Sequence, residues 1–162
     1  MANLNPIHAV LVGAGPLGIN IYRYALKRKD IVISQVVDID PALNSKDMGE
    51  HAGLEASGVL VTGQVNPGVK ADVAILATVS DLPRIAPQVL SLIEAGFPVV
   101  STCEELFFPW ESAPEWSDKI DKAAKAKQVA VLGTGVNPGF LMDAFPSMLP
   151  GISHSQPEYA FK

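Results

Sequence analysis

The chain has 162 residues, of which 48% are hydrophobic and 18% are charged. This length is typical of one domain, and the composition excludes intrinsic disorder, which requires low hydrophobicity and high net charge. A net charge of −5 argues against a strongly basic nucleic-acid-binding face, and one cysteine excludes an intrachain disulfide and a zinc site of several thiolates. With no bilayer-spanning apolar run and no signal peptide, we expect a cytoplasmic protein without nucleic-acid or membrane partners.

Short apolar runs rich in β-branched residues alternate with segments of helical periodicity. The runs predict strands at 7–12, 31–37, 59–61, 73–77, 98–100 and 129–132. Apolar residues at helical spacing predict helices over 17–28 and from 82 to a C-terminal glycine at 96. Continuous apolar strands joined by helices indicate parallel pairing with right-handed crossovers. We therefore predict an α/β fold with a doubly wound parallel sheet of about six strands, in three αβα layers.

Three further local signals concern the ends of elements. Ser112 and Glu115 form a capping box, which predicts that a helix begins at Ser112. Asp40-Pro41 predicts the cap of a short helix in the less regular segment 39–58. Pro150-Gly151 breaks the pattern, and no clear periodicity follows. We therefore interpret 1–149 as the domain and 150–162 as a domain edge or truncated linker.

A glycine-rich loop lies between the first predicted strand and the first predicted helix. Gly13-Ala14-Gly15-Pro16-Leu17-Gly18 matches the pattern G-x-G-x-x-G in the context that this motif requires. Gly13 permits a tight turn, Gly15 leaves room for a diphosphate, and Gly18 allows close packing of helix on strand. Pro16 presets a helical φ, and Leu17 follows it at a helix N-terminus whose N–H groups suit a diphosphate. The loop predicts a Rossmann-type dinucleotide site; the alternative is a glycine turn that binds another phosphate or no ligand.

Asp38 ends the second predicted strand, twenty residues after Gly18. An acidic residue at this place accepts hydrogen bonds from the adenine-ribose hydroxyls, and its charge repels a 2′-phosphate. No arginine occurs in the ten residues that follow, where Lys46 is the nearest cation. The sequence therefore favours NAD(H) as cofactor and leaves NADP(H) open.

Other candidate cofactor contacts follow later strands. Ala77 and Thr78 close the fourth predicted strand, and Thr102 follows the fifth. Ligands of open α/β sheets lie beyond the carboxyl ends of the strands, so these residues are expected to border the cofactor. The alternative for Thr78 is an ordinary threonine at a strand end.

Cys103 is a candidate nucleophile in the loop after the fifth strand. A nucleophilic thiol needs a base or a positive field, and none of the three histidines, at positions 8, 51 and 154, has an evident route to it. We therefore interpret Cys103 as a half-buried free thiol.

Glu104 and Glu105 are adjacent carboxylates in the same loop. Neighbouring side chains of extended backbone point in different directions, so one acid can enter the cleft while the other faces water. A desolvated carboxylate there would have a raised pKa and could exchange protons near neutrality. The alternative is two solvated loop acids.

The segment after the sixth predicted strand, Gly133-Thr134-Gly135-Val136-Asn137-Pro138-Gly139-Phe140, is also unusual. Pro138 biases Asn137 toward extended backbone, and a helix is expected to begin near residue 139 or 140. Asn137 is a candidate for binding the nicotinamide carboxamide or a substrate. The alternative is a helix-entry loop that glycine and proline shape.

The chain resembles the 2,4-diaminopentanoate dehydrogenase and native amine dehydrogenase family, whose N-terminal half is similar to dihydrodipicolinate reductase. The resemblance covers roughly 7–149. The matching segments are 12–18, 37–41 with 46–49, 100–106 and 133–143, which include the sequences Ser-Thr-Cys-Glu-Glu-Leu and Gly-Thr-Gly-Val-Asn-Pro-Gly-Phe.

This resemblance implies an NAD(P)-dependent oxidoreductase that moves a hydride between an amine carbon and nicotinamide C4. The imine is then hydrolysed to a ketone and ammonia, or a ketone is aminated in reverse. Glu104 becomes the best catalytic candidate, as the group that holds the ammonium and shuttles protons. Asn137, Pro138 and Phe140 would border the nicotinamide and an amine or ketone substrate.

Members of the family have a second, substrate-binding and dimerising domain of comparable size, and we expect this chain to lack it. We therefore expect a fragment that binds cofactor and turns over slowly or not at all, with a homodimer left open. Two alternatives are a dihydrodipicolinate reductase-type imine reductase and a nucleotide-sensing module without chemistry.

Overall fold

Strands and helices alternate along the computed structural model, which describes residues 5–66, 68–134, 140–142 and 144–149. The elements, in chain order, are β1 (Ile7–Val12), α1 (Pro16–Leu26), β2 (Ile31–Val37), α2 (Met48–His51), β3 (Val61–Thr62), β4 (Val73–Leu76), α3 (Leu82–Glu94), β5 (Val99–Ser101), a 3-10 turn (Glu104–Leu106), α4 (Pro114–Lys127), β6 (Val131–Gly133) and α5 (Phe145–Met148).

The six strands form one parallel sheet in the order β3-β2-β1-β4-β5-β6. The chain winds outward from β1 in one direction and then returns to add β4, β5 and β6 on the other side. The order reverses between β1 and β4, and ligands of such sheets bind at this switch point. The predicted Rossmann-type doubly wound sheet is confirmed.

Helices cover both faces of the sheet. Tyr22 of α1 and Met48 of α2 are buried with Ala9 and Leu11 of β1 in one apolar cluster. The neighbouring Val10 points to the other face, where it joins the cluster of α3 and α4. Burial on two faces explains why the strands are continuously apolar. In a sheet with one face exposed to solvent, apolar and polar residues would alternate along each strand.

The cleft-bordering helix α3 begins and ends with clear signals. Asp81 accepts a hydrogen bond of 3.0 Å from the Arg84 N–H and caps the N-terminus. Gly96 has a φ of +88°, and the Phe97 N–H donates to the Leu92 carbonyl at 3.0 Å, as in a glycine-terminated helix. The predicted glycine end at Gly96 is therefore confirmed, and Pro87 lies inside the helix.

The predicted capping box at Ser112 is wrong. Helix α4 begins at Pro114, with Ala113 as its N-cap at φ −147° and ψ 63° and without a side-chain cap. The residue before a proline is disfavoured in the helical region, so the helix cannot include Ala113 or start at Ser112.

The short helix predicted at Asp40-Pro41 is also absent. The Asp40 carboxylate accepts the Ala42 N–H at 2.8 Å, but the segment continues as turns, and Ser45 has a φ of 64° that interrupts helical geometry. The helix of this region is α2, where Asp47 is the N-cap. In the part of the chain that the structure describes, no helix combines the length and apolarity needed to cross a bilayer.

Candidate functional site

A cleft of about 1530 Å³ opens at the carboxyl ends of β1, β2 and β4. Its floor consists of residues at the strand ends, one wall is formed by residues 63–66, 68, 69 and 71, and the other wall is one face of α3. Typical pockets for drug-sized ligands hold about 300–1000 Å³, so this cleft has room for an elongated ligand such as a dinucleotide.

The glycine loop closes the inner end of the cleft, and two of its glycines are required by the protein itself. Gly13 has a φ of +106°, and a Cβ there would overlap the carbonyl oxygen of Ala77. A Cβ on Gly18 would overlap the carbonyl oxygen of Gly13. These contacts hold β1, β4 and α1 together at the switch point.

Gly15 is different, because a Cβ added there would meet no atom of the described residues within 4 Å. The residue is exposed, lines the cleft and is the N-cap of α1 at φ −72°, which any residue can adopt. Neither packing nor backbone conformation therefore demands glycine at this position, so the space beside it is available to a ligand.

The N-terminus of α1 faces this space without a protein cap. No side chain in the described part of the chain caps the helix, and the first turn of α1 contains no acidic residue. A helix leaves its first N–H groups unsatisfied and carries a partial positive charge at this end. Pro16 has no N–H, so Leu17 and Gly18 supply the first helical amides.

Asp38 follows β2 and reaches the glycine loop. One carboxylate oxygen accepts the Ala14 N–H at 2.7 Å, and the other accepts the Asp40 N–H at 2.9 Å. The side chain is half-buried and lines the cleft. Asp38 therefore fixes the loop while its side chain borders the cleft.

Gln35 builds the outer wall of the cleft. It is buried in β2, donates to the Gln64 carbonyl at 3.0 Å and accepts the Asn66 N–H at 3.1 Å. Sequence reasoning missed this residue, although a glutamine inside an otherwise apolar strand was the available signal.

The segment around α2 contacts the glycine loop from outside. Asp47 accepts hydrogen bonds from Ser57, Glu50 and Gly58, and these bonds lower its pKa to about 2, the Ser57 N–H contributing most. His51 Nε2 lies 2.9 Å from the carbonyl oxygen of Ala14. Sequence reasoning missed both roles. The Asp47-x-x-Glu50 spacing was a usable helix-start signal, but no local pattern indicates the His51 contact.

The residues after β4 and β5 separate into distinct roles. Ala77 and Thr78 line the cleft, and the Thr78 hydroxyl lies 3.1 Å from Gln88 Oε1 on α3. Thr102 does not line it; its N–H donates to the Leu76 carbonyl at 3.1 Å, which ties β5 to β4.

The two adjacent glutamates are not equivalent. Glu105 accepts the Leu82 N–H at 2.7 Å and so supports the start of α3. Glu104 is exposed on the 3-10 turn and does not line the cleft, and its carboxylate makes no hydrogen bond or ion pair within the described residues. Of the two carboxylates, that of Glu104 is therefore the one without a protein partner in the described part of the chain.

Cys103 is fully buried in the core rather than half-buried. Burial raises the pKa of its thiol, which disfavours the thiolate that a nucleophile requires. The interpretation as an unreactive free thiol agrees with this placement.

The structure brings Gly13, Gly15, Asp38, Ala77 and Thr78 together around one cleft. The predicted residues Pro16, Leu17 and Gly18, which form the first turn of α1, are not among the residues that line the cleft. Asn137 and Pro138 lie outside the described residues. Arg84 on the α3 wall is a cleft residue that sequence reasoning did not find.

No protein-family model matches the chain. The 2,4-diaminopentanoate dehydrogenase of Acetoanaerobium sticklandii is 29% identical over 153 residues, which cover 91% of this chain and 43% of that protein. The solved amine dehydrogenase of Mycobacterium smegmatis is 29% identical, with a TM-score of 0.82, over 92% of this chain and 45% of that one. The 4-hydroxy-tetrahydrodipicolinate reductase of Mastigocladus laminosus is 34% identical over 92 residues, 56% of this chain and 31% of that protein.

A more distant solved structure shows the fold alone. The WlbA dehydrogenase of Bordetella pertussis, in complex with NADH and UDP-GlcNAcA, is 20% identical with a TM-score of 0.64, over 91% of this chain and 43% of that one. The chain spans less than half the length of each of these relatives. All are dehydrogenases or reductases, which is consistent with an NAD(P)-binding oxidoreductase domain. The chain is therefore similar in sequence and fold to diaminopentanoate and amine dehydrogenases, as its motifs predict.

Proposed function

We propose that this chain is the nicotinamide-dinucleotide-binding domain of an oxidoreductase that acts on amines. The observation that carries the proposal is the space beside Gly15, which no atom of the described residues fills and which the uncapped N-terminus of α1 faces. A diphosphate fits this space because it can accept hydrogen bonds from the Gly15, Leu17 and Gly18 amides in a positive dipole field.

The adenosine ribose would lie beside Asp38, whose carboxylate can accept hydrogen bonds from its hydroxyls. The same charge disfavours a 2′-phosphate, so NAD(H) is the preferred cofactor. Arg84 is the one cation among the described cleft residues, and it lies on the α3 wall. NADP(H) would bind more weakly unless Arg84 reached its 2′-phosphate.

When bound, the nicotinamide would supply a carbon that accepts or donates hydride. Glu104 would hold the amine as its ammonium and pass protons to and from water. Its free carboxylate suits this role, whereas Glu105 is already committed to the start of α3. Asn137 and Pro138 would border the nicotinamide.

The substrate would be a small amine, or the ketone in the reverse direction. We propose 1–149 as the cofactor domain, with substrate selection and any homodimer contact supplied by a second domain of the parent protein. An imine reductase of the dihydrodipicolinate type is a second candidate, which the 34% identity over 92 residues favours.

Calorimetric titration of the chain with NADH, NADPH and ADP-ribose tests the cofactor proposal. We expect NADH and ADP-ribose to bind with similar affinity, because both contain the diphosphate and the ribose to which Asp38 would hydrogen-bond. We expect NADPH to bind more weakly than NADH. A chain that is folded by circular dichroism yet binds none of the three would overturn the proposal. Tight binding with no turnover in the full-length parent would instead favour a nucleotide-sensing module.

A further inference from the structure

Two side chains hold the backbone of Ala14 from opposite sides. The Asp38 carboxylate accepts the Ala14 N–H at 2.7 Å, and His51 Nε2 lies 2.9 Å from the Ala14 carbonyl oxygen. A carbonyl oxygen only accepts hydrogen bonds, so Nε2 must carry the proton. Both polar atoms of this residue in the glycine loop are therefore fixed by residues distant in sequence.

The His51 contact also fixes the next amide along the chain. The Ala14 carbonyl and the Gly15 N–H belong to one trans peptide group, in which the C=O and N–H bonds point in opposite directions. With its carbonyl held by His51, this peptide directs the Gly15 N–H away from α2. Within the described part of the chain, that N–H has no hydrogen-bond partner, and Gly15 lines the cleft.

The glycines make such a restraint necessary. Gly13 and Gly15 flank Ala14, and glycine populates a wider range of backbone angles than any other residue. Rotation of the Ala14–Gly15 peptide would turn a carbonyl oxygen toward the place where we propose a diphosphate. The two negatively polarised groups would then repel each other.

His51 can act as a fixed restraint because α2 is itself anchored. Asp47 accepts the Gly49 N–H at 2.7 Å and the Gly58 N–H at 2.7 Å, so one carboxylate joins both ends of the 47–58 segment. On the neighbouring helix, Arg23 Nε donates to the Ala52 carbonyl at 2.8 Å. The imidazole thus projects from a braced turn rather than from a free loop.

We infer that His51 is a positioning residue of the dinucleotide site, which presents the Gly15 N–H to a diphosphate by holding the Ala14 carbonyl. The inference rests on the proposed function, since it assumes that a diphosphate binds beside Gly15. It assigns to the α2 segment a function in ligand binding, although no atom of His51 needs to touch the ligand.

The test compares two substitutions of His51 by calorimetry with ADP-ribose. Gln places a side-chain N–H near the position of Nε2, whereas Leu fills similar space without a donor. We expect His51→Leu to weaken ADP-ribose binding about tenfold and His51→Gln to stay within about threefold of the unsubstituted chain. His8→Leu is the matched control, because His8 contacts Ser34 on β2 and does not line the cleft.

A ligand-specific readout separates positioning from a general loss of structure. In ¹H–¹⁵N spectra, ADP-ribose should shift the Gly15 amide in the unsubstituted chain and in His51→Gln, and markedly less in His51→Leu. Equal affinity of the Leu and Gln variants for ADP-ribose, or an unchanged Gly15 shift in His51→Leu, would overturn the role of His51 but not the proposed function. Failure of the unsubstituted chain to bind ADP-ribose would overturn the proposed function as well. If His51→Leu does not fold, the inference is tested by His51→Gln instead. It is contradicted if His51→Gln binds ADP-ribose more than about threefold more weakly than the unsubstituted chain.

Discussion

The Asp38 carboxylate and the Ala14 N–H are joined by a hydrogen bond of 2.7 Å across the ends of β2 and β1. Asp38 therefore has a structural task in addition to the ribose contact that we propose. A substitution at Asp38 should produce two effects, one on every ligand that uses the glycine loop and one that depends on the charge of the ligand.

Substitution of Asp38 can separate these effects. Asp38→Ala removes the loop contact and the charge, so NADH should bind at least about tenfold more weakly, with a smaller loss for NADPH. Asp38→Asn keeps an acceptor for the Ala14 N–H but loses the negative charge. It should therefore reduce the difference in affinity between NADH and NADPH. Equal losses for both cofactors in both variants, measured by calorimetry, would remove Asp38 from the ribose site.

Alanine substitutions at Gly15 and Gly18 should differ in their effects, the first mainly on NADH affinity and the second mainly on the stability of the fold. The added methyl group of Gly15→Ala meets no atom of the described residues, so it should lower the free energy of unfolding by less than about 1 kcal/mol, the scale of a weaker N-cap. The same substitution should abolish most NADH affinity. Gly18→Ala would overlap the Gly13 carbonyl and should destabilise the fold by about 1–3 kcal/mol. Denaturant unfolding and NADH titration of the two variants check this. A Gly15→Ala chain with normal affinity would show that no diphosphate lies there.

The two loop glutamates form a matched pair for the proposed chemistry. In the full-length parent, Glu104→Gln should reduce the turnover of amines about 100-fold or more with NADH affinity near normal, since a proton-transferring group is lost. Glu105→Gln should lower stability by about 1 kcal/mol through the weaker α3 cap, with turnover largely kept. Steady-state kinetics with cofactor titrations distinguish them. Unchanged turnover in Glu104→Gln would contradict this role and favour the interpretation of Glu104 as a solvated loop acid.

Asp47 should make stability depend on pH in a narrow acidic window. Its pKa in the folded chain is about 2, below the ordinary value of 3.8, so the unfolded chain binds more protons between these two values. The contribution of Asp47 is therefore complete above about pH 4 and is lost as the pH falls toward 2. The stability difference between the unsubstituted chain and Asp47→Asn, from urea unfolding at pH 6 to 2, should shrink across this window. A difference that does not change would contradict the assignment.

The parallel sheet and the glycine loop could be predicted because their signals are local. Apolar runs such as Ile31–Val37 identify buried strands directly, and spacing within 13–18 specifies both the turn and the helix start. The end of α3 could also be predicted locally, because Gly96 itself adopts the left-handed conformation that glycine favours after a helix.

The remaining features depend on contacts between distant segments. Gln35 supports the 64–66 wall and His51 reaches Ala14 only because the fold brings β3 and α2 beside β1 and β2. The error at Ser112 has a different cause, since the backbone restriction that Pro114 places on Ala113 outweighs a favourable capping pattern.

The most direct measurement is the crystal structure of the chain grown with NADH. The diphosphate should accept hydrogen bonds from the Gly15, Leu17 and Gly18 amides, with the adenosine ribose on the Asp38 carboxylate. A nucleotide bound elsewhere, or a cleft without nucleotide at a saturating concentration, would contradict the assignment of this domain to nicotinamide-dependent redox chemistry.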